Sequence, residues 1–198
     1  MPRYWFLAKN EEFNLLELQR NAFVLNWKRR DSKEPSFAGH LRLVFHKYFS
    51  IFENFLRKDV GIEDISVSGC ELNYMYVIRP CEYWRDSRDT ANVVPSFQIP
   101  ETGEERDALD WANSGYTYIL GNDLQLRVAI RHFMKNDEPE ESRLILEITS
   151  RTVQQAHFNE SESDAWFARA NDAISACFVS MTSGKIQREH WKLVEEIS

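Results

Sequence analysis

Some glutamate and histidine residues of this 198-residue chain carry side chains that could support metal-dependent hydrolysis. Glu71 and Glu147 lie in segments with the alternation of strands, and His132 lies near the end of a third such segment. Strand carboxylates can bind Mg²⁺ and orient a phosphate. Because Glu147 alternates with Leu146 and Ile148, we expect it to point to solvent. A structural role is favoured, and a hydrolase or nuclease using Glu71, Glu147 and His132 is the alternative.

Other catalytic patterns are missing from the sequence. It contains no His-Glu-x-x-His, no Gly-x-Ser-x-Gly and no phosphate-binding glycine loop. Cys70, Cys81 and Cys177 have neither CxxC nor CxxxC spacing, so neither a zinc site nor a disulfide framework is indicated. We therefore expect reduced thiols, no metal, no cofactor and no catalytic residue, which favours a protein that is not an enzyme.

Charge and hydropathy limit the classes of partner. The formal net charge of −7 disfavours broad nucleic-acid binding, because phosphate contacts need clustered Lys and Arg. A basic patch, Lys28, Arg29 and Arg30, follows Trp27 and could bind nucleic acid, but a solvated strand end is the favoured interpretation. Charged residues among the first twenty exclude a signal peptide, and no apolar run approaches the roughly 18 residues of a membrane span. We predict a cytoplasmic protein.

Binding through an aromatic or polar strand face is the remaining class of function. Asn73 is expected on the polar face of a strand beside aromatic neighbours, and the sequence offers several similar positions. The predicted protein or ligand interface consists of Trp5, Gln19, Asn26, Trp27, Asn73 and Trp191. We expect a homo-oligomer or a complex with another protein, in which the first strand is an uncovered edge available for strand addition.

The pattern of apolar residues predicts an α+β fold. Strands are predicted at 4–8, 15–27 (a hairpin), 67–78, 116–120, 124–133 and 144–149, with a turn at Gly121-Asn122-Asp123. A core helix with an aromatic stripe is predicted at 37–56, ending at Gly61, and a second helix is predicted after a cap at Ser163 or Asp164. Residues 81–115 are predicted to be a surface excursion, and 186–198 a short amphipathic element.

These elements indicate one architecture. Alternating strands favour an antiparallel sheet, of about six to seven strands, with the two main helices packed on one face. The length of 198 residues predicts a single domain over 1–198.

The segment RYWFLAKNEEFNLLELQRNAFVLNWKRR carries a family resemblance. With the aromatic helix ending FENFL, it is similar to a sporadically distributed family of uncharacterised bacterial and archaeal proteins with the pattern WF…LxQxQ…F…NW. The matching positions are Trp5, Phe6, Gln19, Phe23, Asn26 and Trp27. Further matches are Glu71 and Tyr74, and then Trp166, Phe178 and Thr182 in the closing helix.

The chain departs from this family at three places. Met75-Tyr76 replaces an Ile-Asn pair, and Asn171 stands where a His is common. The resemblance also implies an additional strand and helix in front of Trp5, so we expect another chain or the segment around Trp191 to cover the first strand. The patchy distribution of the family resembles that of defence or mobile-element genes, which associates the chain with such systems without giving a mechanism.

Overall fold

The computed structural model describes residues 3–8, 11–19, 21–27, 40–97, 113–133, 138–153 and 158–191. The chain forms two compact units, one over Met1–Ser66 and one over Val67–Ser198. Seven antiparallel strands are divided between a three-stranded and a four-stranded sheet. The α+β class and the antiparallel strands are therefore confirmed, but the strands form two sheets and not one. A single domain over 1–198 stays a prediction.

The first unit is a three-stranded meander with one helix. Strands β1 (Tyr4–Ala8), β2 (Glu11–Gln19) and β3 (Ala22–Asn26) pair in the order β1-β2-β3, as the alternation predicts. Helix α1 (Arg42–Phe55) continues into a π-helical turn at Leu56–Val60. Gly61 then ends the helical segment with φ of 79°, a left-handed conformation that glycine adopts without steric cost.

Aromatic side chains hold α1 against the meander. The Phe23 ring of β3 lies 5.4 Å from the ring of Phe45, 5.3 Å from that of Phe49 and 5.5 Å from that of Phe52. These contacts confirm the aromatic stripe as a packing surface. The prediction of a core helix is wrong, however, because no side chain of α1 is fully buried. Among the described residues, the opposite side of α1 carries exposed apolar side chains, including Leu43 and Ile51.

The second unit contains the four-stranded sheet. Its strands are β4 (Glu71–Ile78), β5 (Asn113–Leu120), β6 (Leu124–Phe133) and β7 (Arg143–Thr152), paired in the order β4-β7-β6-β5. One face, here called the inner face, carries the apolar alternates of the strands. The other, the outer face, carries the polar residues Glu71, Asn73, Arg127 and Glu147 together with exposed apolar residues such as Met75 and Phe133. The predicted alternation in β4 and β6 is confirmed.

The inner face is covered over β4, β6 and β7, whereas Tyr116, Tyr118 and Leu120 of β5 are exposed on it. Helix α3 (Glu160–Met181) packs against β4, β6 and β7, and buries Trp166, Ala170 and Ile174. Two short helices complete the unit, α2 (Thr90–Val93) and α4 (Gly184–Glu189). Single turns of 3₁₀ helix lie at Ser87–Asp89 and Pro139–Glu141.

Two expectations for the second unit need correction. Residues 81–97, the first half of the predicted surface excursion, bury the large side chains of Trp84, Val93, Val94 and Phe97. Charged residues lie among these apolar residues in the sequence, so no helical or strand periodicity predicts that they belong to the core. The cap of α3 is Asn159, not Ser163 or Asp164, because the Asn159 and Glu162 side chains form a reciprocal capping box.

Several predictions fall outside the described residues. These are the basic patch at Lys28, Arg29 and Arg30, the excursion over 98–112 and the tail over 192–198. Among the described residues, no helix has the length and apolar character needed to cross a membrane.

Candidate functional site

The edge strand β1 presents four consecutive exposed apolar residues, from Tyr4 to Leu7. The exposed fractions are 59% for Tyr4, 65% for Trp5, 51% for Phe6 and 72% for Leu7. Alternating residues of a strand point to opposite faces, so side chains on both faces of β1 are exposed among the described residues. Large apolar surfaces rarely face water in this way unless they bind something.

The other predicted interface residues of the first unit occupy both faces of the meander. Trp5 pairs with Glu17, and Leu15 pairs with Asn26, on the face away from α1. Gln19 shares that face and donates from Nε2 to Glu17 Oε1 at 2.9 Å. The half-buried Trp27 lies on the α1 side, where its ring is 6.4 Å from that of His40. The predicted set therefore does not form one continuous surface.

The predicted carboxylates lie on the outer face of the four-stranded sheet, and each has an arginine partner. Glu147 forms an ion pair with Arg131, and Glu71 forms one with Arg151. In the register Glu71 of β4 lies opposite Arg151 of β7, and Glu147 lies four residues from Arg151 along β7. At a rise of about 3.3 Å per residue, the two carboxylate positions are roughly 13 Å apart along the strands.

His132 lies on the inner face, away from both carboxylates. It is buried, and its Nε2 is 2.6 Å from the Thr90 hydroxyl oxygen. The same oxygen accepts a hydrogen bond from Trp84 Nε1 at 3.2 Å. Glu71, Glu147 and His132 therefore do not converge. Among the described residues, no group of three or more His, Cys, Asp or Glu is placed to hold a metal ion.

Asn73 and Glu147 are the predicted residues that the structure brings together. The Asn73 amide donates to Glu147 Oε1 at 2.8 Å and to the Thr149 hydroxyl at 2.7 Å. With the Arg131 ion pair, they form a polar network that crosses from β4 through β7 to β6. This network links the side chains of Asn73, Glu147 and Arg131 across three strands.

Trp191 packs within the second unit. Its ring stacks on Phe178 at a centroid distance of 5.2 Å, and its Nε1 donates to the Tyr83 hydroxyl at 2.8 Å. Phe178 in turn stacks on Tyr76 at 4.1 Å. Asn171 accepts a hydrogen bond from the Tyr74 hydroxyl at 2.8 Å. Trp191 and Asn171 thus have packing partners that account for their positions.

The cysteines have the environments of structural thiols. Burial raises the pKa of Cys70 to about 11 and also raises the pKa of Cys177. A raised pKa keeps the thiol protonated and lowers its nucleophilicity near neutral pH. Cys70, Cys81 and Cys177 are all free thiols.

One group of residues on the outer face is absent from the predicted set. Arg127 and Arg131 border a depression between β5 and β6, above Gly115 and Ala129. The signal in the sequence was the spacing of the two arginines, since residues four apart in a strand share a face. Gly115 could be placed beneath them only once the register of β5 against β6 was known.

Comparisons of the chain with protein-family models, with curated proteins and with solved structures find no match.

Proposed function

We propose that the chain is a non-enzymatic binding module that associates with a second copy of itself through strand β1. The observation that carries this proposal is the exposure of Tyr4, Trp5, Phe6 and Leu7, all more than half accessible at the edge of the meander. An edge strand has a free row of backbone donors and acceptors, which a second strand can satisfy.

The weak burial in the first unit supports this proposal. None of its described side chains is fully buried, whereas the second unit buries many apolar groups. Helix α1 also exposes Leu43, Ile51 and Phe55 on the side away from Phe45 and Phe49. Burial of a large apolar side chain contributes about 1.5–3 kcal/mol, so a partner on this unit would add stability that the unit lacks alone.

A second copy is the occupant that the geometry favours. Two β1 strands can pair antiparallel about a twofold axis perpendicular to the sheet, which makes the contact self-complementary and closed. Such an axis keeps each face of the sheet on its own side. In one register of the two β1 strands, Trp5 lies opposite Trp5 of the second copy, and in the other register Phe6 lies opposite its own copy. Each register therefore places an aromatic pair at the centre of the interface.

The area available fits a modest interface. Three aromatic side chains that are half to two-thirds exposed, Tyr4, Trp5 and Phe6, offer on the order of 300 Å² of surface. Stable interfaces bury about 800 Å² on each partner, so β1 alone would give a weak dimer. The apolar residues of α1 are available to enlarge the contact.

The competing occupant, the chain's own segment around Trp191, is less favoured. Trp191 already stacks on Phe178 and bonds to Tyr83. Freeing it to cover β1 would require both interactions to be broken.

Light scattering coupled to size-exclusion chromatography tests this proposal over a wide range of protein concentration. We expect the wild-type chain to form a dimer as concentration rises. Leu7→Lys should weaken the dimer by at least about tenfold, because a charge on an edge strand opposes pairing.

Val179→Lys is the matched control, because Val179 is an exposed apolar residue on α3, an element of the second unit. It should leave association unchanged. A wild-type chain that stays monomeric at every concentration would overturn the proposal, as would equal effects of the two lysine variants.

A further inference from the structure

The outer face of the four-stranded sheet has an excess of positive charge, although the whole chain is acidic. Four arginines and two glutamates project from the strands on this face: Arg127, Arg131, Arg143, Arg151, Glu71 and Glu147. The chain as a whole has a formal net charge of −7. A local positive field of this kind attracts anions.

Three of the four arginines are engaged by acceptors. Arg131 pairs with Glu147 and Arg151 pairs with Glu71. Arg143 contacts the Glu141 carboxylate at 3.1 Å and donates to two backbone carbonyls. Within the described part of the chain, Arg127 has neither an ion pair nor a hydrogen bond, so the excess charge is concentrated at its guanidinium.

In the register, no carboxylate lies directly opposite Arg127. Its partners across the sheet are Thr149 on β7 and Thr117 on β5, both of which carry hydroxyl groups. Thr149 accepts from Asn73 and keeps its own hydroxyl proton for donation. A guanidinium flanked by hydroxyl donors is a common arrangement for binding an oxyanion.

A depression with a volume of about 430 Å³ lies beside Arg127. Its floor is the pair Gly115 and Ala129, which face each other in the register and carry little or no side chain. The larger residues on either side form its walls, with Arg127 and Thr117 at one end and Arg131 and Asn113 at the other. This volume falls within the range of small-molecule sites.

We propose that this depression binds a small molecule carrying an oxyanion, such as a phosphate monoester or a carboxylate, with Arg127 as the principal charge. Thr117 and Asn113 supply neutral donors at the two ends. Arg131, fixed by Glu147, adds further N–H donors that the ion pair leaves free. The proposal is independent of association through β1.

Isothermal titration calorimetry on the full chain tests the site with two probes, inorganic phosphate and succinate. Saturable binding of either probe is the expected result, and the stronger probe identifies the source of the oxyanion. Arg127→Gln should weaken binding by about tenfold or more, the loss expected for one charge-assisted hydrogen-bonding group. Ala129→Leu should weaken it as well, because the added side chain fills the floor.

Arg151→Gln is the matched control, since Arg151 lies on the same face but outside the depression. It should leave affinity within about twofold of the wild type, and circular dichroism should show all three variants folded. Absence of saturable binding by either probe would overturn the proposal. Equal losses in Arg127→Gln and Arg151→Gln would also overturn it, because they would indicate diffuse charge. Affinity that grows with the length of a single-stranded oligonucleotide would replace the small molecule with nucleic acid.

Discussion

Ser150 and Thr90 carry buried hydroxyl groups in contrasting environments. Among the described residues, the Ser150 hydroxyl is the buried polar side-chain group without a hydrogen-bond partner. The Thr90 hydroxyl contacts both Trp84 and His132. An unsatisfied buried polar group costs free energy, whereas a satisfied one stabilises its partners.

These environments predict opposite effects of removing the two hydroxyls. Ser150→Ala should leave the free energy of unfolding unchanged or raise it by up to about 1 kcal/mol, since no hydrogen bond is lost. Thr90→Val should lower it by about 1–3 kcal/mol, because Trp84 and His132 would lose a common partner. Urea unfolding measures both values. A larger loss for Ser150→Ala than for Thr90→Val would contradict these hydrogen-bond assignments.

Alkaline pH should destabilise the second unit. Burial raises the pKa of Cys70 from 9.0 to about 11 and that of Tyr76 from 10.0 to about 12. Above pH 9 the unfolded chain therefore loses protons that the folded chain keeps, so stability falls as pH rises towards 12. The effect disappears below about pH 8, where the Cys70 thiol and the Tyr76 hydroxyl are protonated in both states.

Tyr76→Phe tests the source of this pH dependence, because it removes the hydroxyl and keeps the ring that stacks on Phe178. We expect the free energy of unfolding to fall less steeply with pH above 10 in this variant. Urea titrations at pH 8 and at several values above 9 measure the slope. An unchanged slope would show that Tyr76 ionises equally in the folded and unfolded states.

At the scale of elements, the start of α3 depends on one cap. Asn159 Oδ1 accepts from the Glu162 N–H at 2.9 Å, and Glu162 Oε2 accepts from the Asn159 N–H at 2.9 Å. Asn159→Ala should lower the free energy of unfolding by about 1 kcal/mol. Ser161→Ala, an exposed change in the same turn, should have a much smaller effect. Equal losses in thermal unfolding would contradict the assignment of the cap.

The elements differ in how far the sequence predicts them. The faces of β4 and β6 follow from local alternation, and the meander follows from short connections that favour neighbouring pairing. Asn159 and Glu162 have the spacing of a capping box, so the sequence does contain the signal for the observed start of α3, in addition to the predicted cap at Ser163. The depression at Arg127 needed the register that places Gly115 opposite Ala129, which is non-local information.

At the scale of the whole molecule, the two units should differ in local stability. The first unit has no fully buried side chain among its described residues, whereas Val128, Ile130, Leu146 and Ile148 are buried in the central strands of the second. Weak burial permits local opening at low free energy.

Hydrogen–deuterium exchange tests this difference. Amides of β1 to β3 should exchange faster than those of β6 and β7, because fewer apolar contacts oppose their opening. Higher protein concentration should slow exchange in β1, since association would satisfy its edge. The edge strands β4 and β5 serve as internal controls and should not respond to concentration. Equal protection of the two sheets would contradict the predicted difference.

The strand order β4-β7-β6-β5 also has a consequence for synthesis of the chain. Among the described strands, β4 pairs with β7 alone, and the paired residues Glu71 and Arg151 are separated by 80 positions. At a translation rate of about 5–20 residues per second, the ribosome needs roughly 4–16 seconds to complete that interval. During this time β4, which contains Tyr74 and Tyr76, has left the ribosome before its partner strand β7 has been made. The second sheet is therefore completed late, and a nascent chain that ends before β7 presents β4 to chaperones.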